Sequence, residues 1–200
     1  MEENRFVTAG WVSVAAACVY PLAFVAMGMQ EWAFDEGLTD QRLGLGPSDL
    51  LFLLFAALSI YAFWSLKRLM YERYSFRKIG TIIWVSIFWH LVYFGGSFLV
   101  ELLYAAVGLS DDSVAILLLT GLWASGIVVF GIIDIIIGLV LLSRAKQFHT
   151  AVKVFGWLSL VIGVFEATLL LAIVAFFLIP LSYVALAVVF LSRPDTVEYV

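Results

Sequence analysis

Charge is the first thing this sequence lacks. Of its 200 residues only 13% are Asp, Glu, Lys or Arg, about half the share that ordinary soluble domains carry. Too few charges remain to cover a water-facing surface, so a soluble globular fold is excluded. Cysteine is nearly absent: Cys18 is alone, which rules out an intramolecular disulfide and a cysteine-based metal centre. Histidine occurs twice, as His90 and His149, too few for the histidine-rich di-iron centres of membrane desaturases.

What fills the chain instead is apolar surface, 64% of residues by the AVILMFWYC count. A helix crossing a hydrocarbon core of about 30 Å needs roughly 20 such residues. Five apolar blocks reach that length, and the last, 154–191, is long enough for two spans with a tight turn between Glu166 and Ala172. The expectation is an all-α polytopic membrane protein, with six transmembrane helices in a single bundle. It forms one membrane domain over residues 1–200, with spans near 7–29, 50–66, 79–104, 114–142, 151–170 and 172–192.

Orientation follows from the cations, because Lys and Arg beside short loops stay on the cytoplasmic side. Placing both termini in the cytoplasm puts Arg5, Lys67, Arg68, Arg73, Arg77, Lys78, Arg144, Lys146, Lys153 and Arg193 inside. Arg42 is the exception, in an outer loop crowded with Glu31, Asp35, Glu36, Asp40 and Asp49. The acidic start MEENRFVTAGW reads as a retained first span and not a cleaved signal. The second inner loop, KRLMYERYSFRK (67–78), mixes cations and aromatics as an interfacial belt does. Trp11, Trp32, Trp64 and Trp157 extend that belt at the span ends. An inverted three-plus-three repeat finds no support, since Pro21 and Pro180 are not equivalent under it.

Three spans carry a face of small and polar residues. On the third, Ser86, His90, Tyr93, Ser97, Glu101 and Tyr104 recur at helical spacing and fall within an arc of roughly 80°. On the fourth, Thr120, Gly131, Asp134 and Gly138 share a face; on the fifth, Gly156, Ser159, Gly163 and Glu166 do. Glycine at that spacing lets helices approach closely, so Gly131, Gly138, Gly156 and Gly163 are expected to be packing positions. The ionisable members exceed what packing needs. Counted from the inner cations at about 1.5 Å per residue, His90 lies ~18 Å deep, Asp134 ~15 Å and Glu166 ~20 Å. His90 is thus the expected partner of Asp134, with Glu166 above both and Glu101 at the outer interface. Asp134 has two readings: an interhelical hydrogen bond, or a role in proton or ion movement. Pro21 and Pro180, near the centres of their spans, are expected to kink them, with Tyr20 and Tyr183 near the carbonyls so freed.

Several chemistries are excluded on depth and number. His149 lies at the inner edge, about 15 Å from the level of His90, which argues against a haem held by both. No Lys occupies mid-span for a Schiff base, and no loop carries a glycine-rich phosphate cradle. WASG (123–126) puts Ser125 about 180° from Asp134 with no later histidine to activate it, so it reads as a helix contact. No catalytic residue, metal site or cofactor is identified.

The leading expectation is a small transporter-like or solute-binding protein of the plasma or inner membrane. Its proton-linked interior would be lined by His90, Asp134, Glu166, Glu101, Ser97 and Ser159. A non-catalytic subunit or assembly factor of a larger membrane complex is the alternative, and an intramembrane enzyme comes third. Expected partners are the lipid bilayer and, on the second reading, other membrane subunits or further copies of the chain, but not nucleic acid.

Overall fold

A computed structural model describes residues 3–35, 46–107, 112–169 and 171–192. Arg42, Glu36, Asp40 and Arg193 lie outside these, as do the side chains of Arg5, Asp35 and Tyr104. The helices are α1 (Glu3–Asp35), α2 (Pro47–Tyr74), α3 (Ile79–His90), α4 (Gly96–Val107), α5 (Asp112–Leu142), α6 (Thr150–Ala167) and α7 (Ala172–Leu191). A π-helical turn, Leu91–Gly95, joins α3 to α4 so that the two halves make one span. Six helices long and apolar enough to cross a membrane result, and no strand occurs among the described residues. The chain is therefore a multi-pass integral membrane protein whose outward side chains, such as Leu22, Val25, Phe88, Leu139 and Leu181, meet lipid.

The second span is longer than the 50–66 expected from hydropathy. Lys67 to Tyr74 continue α2 instead of forming a loop, and only Ser75–Lys78 connect to α3. The reason is that the basic stretch is amphipathic: Leu69 and Met70 are buried, while Lys67 lies over the Trp84 ring and Arg68 over Trp64. Long cationic side chains keep their stems on apolar surface and their heads at the interface. Ser75, in the left-handed conformation at φ 50°, then ends the helix.

The topology is the simplest that six antiparallel spans allow. Each span packs on its neighbours in sequence, and α7 returns to α1, closing a ring. One end of the ring gathers the cationic helix termini. There Phe6 stacks on Phe190 under the Arg73 guanidinium, Arg73 donates to the Ser192 carbonyl, and Tyr74 and Phe76 pack on Phe148 beside Arg144. At the other end Ser48 donates to Gln30 and the Gly46 amide to Asp49. Pro21 and Pro180 sit within unbroken helices.

The closest seam in the ring is α5 against α6. A Cβ added at Gly131 would come within 2.7 Å of the Gly163 carbonyl, and one at Gly163 within 2.5 Å of the Gly131 carbonyl. At Gly138 it would meet the Gly156 carbonyl at 2.7 Å; Gly156 itself is less tight, its nearest neighbour being Leu141 at 3.2 Å. The glycine faces thus meet each other within the chain, backbone on backbone. Gly131→Ala and Gly163→Ala should each lower stability by about 1–3 kcal/mol through overpacking. Gly28→Ala, where a Cβ meets nothing within 4 Å, should be neutral or gain up to about 1 kcal/mol. Thermal unfolding of the three variants in detergent checks the contrast.

Candidate functional site

The ring encloses a cavity of about 660 Å³ to which all six spans contribute. Its polar groups are few: His90, Asp134, Ser159, Glu166, Ser182 and the three tyrosines Tyr20, Tyr93 and Tyr183. The rest is mainly aromatic and aliphatic, with Phe24, Phe55, Phe63, Phe94, Phe130 and Phe176 dominating the wall. Such a lining, mostly apolar with a few convergent polar groups, is typical of small-molecule sites, whose volumes run from about 300 to 1,000 Å³.

The two carboxyl groups reach this cavity because of the glycine seam. On α5, Asp134 follows Gly131 by three residues, and on α6 Glu166 follows Gly163 by three. Where the backbones touch, the Glu166 Cβ lies 3.0 Å from the position a Gly131 Cβ would take. Glu166 therefore leans over α5 one helical turn from Asp134, near enough for the two charges to interact. Just beyond Glu166 the chain turns at Thr168 and Leu169, with Leu169 held left-handed at φ 54° and its amide on the Glu166 carbonyl. An aliphatic side chain in that conformation costs about 1–2 kcal/mol, so the turn is set by the packing of α6 and α7, not by local preference.

Glu166 is only 7% exposed, and its Oε2 has no hydrogen-bond partner. Tyr20, Tyr93 and Tyr183 lie within electrostatic reach of it. The Tyr183 hydroxyl is committed elsewhere: it donates to Ser59 Oγ at 2.7 Å, and Ser59 donates to the Phe55 carbonyl. This chain ties α7 to α2 across α1. It also corrects the expectation that Tyr183 serves the carbonyl freed by Pro180.

His90 is buried in the wall, yet it does not pair with Asp134. The single ion pair among the described residues is Arg68–Glu72. The His90 Nδ1 donates to the Ser86 carbonyl at 2.8 Å, and its ring packs edge-on to Phe130 and against Phe63 and Phe94. A carbonyl can only accept, so Nδ1 holds the proton, and in the neutral ring Nε2 is an acceptor. The π turn begins at the next residue. By adding a residue to the turn it shifts the face of the third span, so the polar stripe read as continuous divides. His90 and Tyr93 serve the central cavity, whereas Ser97 and Glu101 line a second one of about 390 Å³.

That second cavity lies at the Gln30–Ser48 end of the ring and also holds Glu31, Asp49 and Thr120. Glu101 and Asp49 sit within hydrogen-bonding distance of each other. Phe52, Tyr93, Phe94 and Trp123 border both cavities and form the wall between them. Ser125 faces outward, bonded to the Leu122 carbonyl of its own helix, and the helix contact expected of WASG is made by Gly126, where a Cβ would collide with the Tyr93 ring.

The aromatic lining was missed as a site by sequence reasoning, although its signal is present. Phe52, Phe55, Ser59 and Phe63 recur at helical spacing on α2, as do Phe176, Ile179 and Tyr183 on α7. Among the described residues no three His, Cys, Asp or Glu side chains group to hold a metal. Compared with protein-family models, curated proteins and solved structures, the chain matches none.

A buried carboxyl oxygen without a partner lowers stability, by about 1–3 kcal/mol or more. Glu166→Met, which keeps the length and removes the polar atoms, should therefore hold or raise the unfolding temperature. Measured beside wild type in one detergent, a large fall would show that Glu166 is structural.

Proposed function

We propose that this integral membrane protein is transporter-like: it binds a small, largely apolar solute in the central cavity and links occupancy to a proton carried by Asp134 and Glu166. The observation that carries the reading is Glu166 Oε2, buried at the cavity wall with no protein partner. Groups left unsatisfied in an apolar interior are retained at a cost, and ionisable side chains inside a membrane bundle mark substrate or proton paths by default. Two carboxylates side by side in a poorly screening cavity repel, and one proton between them removes that repulsion. His90, with Nδ1 held by Ser86, and Ser159 supply further hydrogen-bonding positions. Ser97 and Glu101 belong to the outer vestibule of the same path.

The membrane is a plasma or inner membrane, with both termini cytoplasmic. What supports this is the gathering of Arg73, Arg144 and the ends of α1 and α7 at one end of the ring, with Asp49 and Glu101 at the other. A partner subunit would not find the Gly131 and Gly163 faces free, because they pack on each other.

The test is native mass spectrometry of the chain extracted in mild detergent from its own membrane. A small molecule should accompany wild type and be lost in Asp134→Asn, a variant expected to fold with an unchanged unfolding temperature. Adding that molecule back to protein in vesicles should release about one proton per site in wild type and none in the variant. A stoichiometric partner chain with an empty cavity would overturn the reading.

A further inference from the structure

The two cavities share a sign. Among the described residues no Lys or Arg lines either one, while Asp134 and Glu166 face the inner cavity and Glu31, Asp49 and Glu101 the outer. Among the described residues Lys67, Arg68, Arg73 and Arg144 lie elsewhere, over the rings of Trp84, Trp64, Phe6 and Phe76. An anionic solute entering by the outer vestibule would meet carboxyl groups twice and, among the described residues, no fixed cation. A cation meets an attractive field at each step.

The lining decides what kind of cation. A divalent or alkali metal ion takes about six or more oxygen ligands, whereas the inner cavity presents few oxygens and, among the described residues, no metal-binding group. It presents aromatic faces instead. Phe55 packs between Tyr20 and Tyr183 with ring centroids 4.9 and 5.4 Å away, and Phe94 and Phe130 pack against His90. Aromatic rings hold organic ammonium groups by cation–π attraction, strongest where water is excluded. Glu166 supplies the countercharge with an oxygen that nothing in the protein engages.

We infer that the solute is a monovalent lipophilic cation, an aromatic or alkyl ammonium, which enters the central cavity by displacing the proton of the Asp134–Glu166 pair. This rests on the transporter-like reading above and names its substrate class. The exchange balances: one positive charge enters, one proton leaves to water, and the cavity keeps its net charge, which avoids the cost of burying a second uncompensated ion. The titratable groups facing the pair are Tyr20 from α1, His90 and Tyr93 from the third span, and Tyr183 from α7. None of these is a fixed cation that would compete with the ligand.

The experiment is calorimetry of the purified full chain against three probes of one shape: a phenylalkyl trimethylammonium, its neutral tert-butyl isostere and the corresponding phenylalkyl carboxylate. Each titration is run in two buffers of different ionisation enthalpy, which yields the protons released. The ammonium is expected to bind at least about tenfold more tightly than the isostere, a difference of about 1.4 kcal/mol, with release of roughly one proton. Glu166→Gln and Asp134→Asn should each erase that preference and the proton release. Equal binding of ammonium and isostere, without proton release, would overturn the cation assignment and leave a neutral apolar solute as the occupant. Preference for the carboxylate would overturn it as well. If no probe binds at millimolar concentration, the solute-binding reading falls with it. The wild-type comparison of the three probes decides the matter even if a variant fails to fold.

Discussion

The contact on which the site depends is backbone on backbone, where Gly131 and Gly163 meet. With no Cβ on either side, α5 and α6 approach until each carbonyl occupies the space a side chain would have used. In lipid there is no hydrophobic force to draw helices together, so close van der Waals packing of this kind supplies much of the attraction. The same contact sets register. It places the Glu166 Cβ over Gly131 and so brings a carboxyl group of α6 within one turn of Asp134 on α5. A residue with a side chain at either glycine would separate the helices and with them the two acids.

The ring that surrounds this hairpin converts a packing motif into a chamber. Because each span lies beside its neighbours in sequence and α7 closes on α1, the inward faces converge on one axis, and their aromatic stripes become a single wall. Tyr183, Ser59 and the Phe55 carbonyl fasten the α2–α1–α7 side. The third span is held differently: its π turn, next to His90, moves Tyr93 and Phe94 into the wall between the cavities. A π turn is poorly stabilised as regular structure and recurs at functional positions. Here it re-aims the residues that separate an acidic vestibule from an acidic, aromatic interior.

Much of this was legible in the sequence, and the misreadings have definite causes. Span number followed from the length of apolar blocks, and the glycine spacing on 131–138 and 156–163 marked the two helices that touch. Counting residues from the interface gives height along a helix, however, and says nothing about position around the ring. His90 and Asp134 share a level, yet His90 faces Phe63 and Phe130, and the partner in reach of Asp134 is Glu166. The estimated heights of Asp134 and Glu166 differ by about 5 Å, one helical turn, which two side chains leaning together can span. The π turn escaped because a pattern assumed to advance 100° per residue cannot register an inserted residue. The basic stretch after Leu66 reads as a loop in sequence because its charge outweighs Leu69 and Met70, which are buried and keep α2 helical.

What a membrane helix must hide from lipid decides where chemistry can occur in it. The outward faces carry mainly leucine, valine and tryptophan, and the seams at Gly131–Gly163 and Gly138–Gly156 are consumed within the chain. Many buried polar side chains of the spans close their own bonds: Ser13, Ser59, His90, Ser97 and Ser182 each donate to a carbonyl of their own span. Glu166 does not, although a Gln or Met at that position would complete or dispense with its bonds at less cost. Packing alone gives no reason to keep a carboxyl oxygen there unengaged. Its position near a second carboxyl, inside a ring of aromatic faces that no described Lys or Arg enters, is what a site needs when the missing partner is supplied from outside.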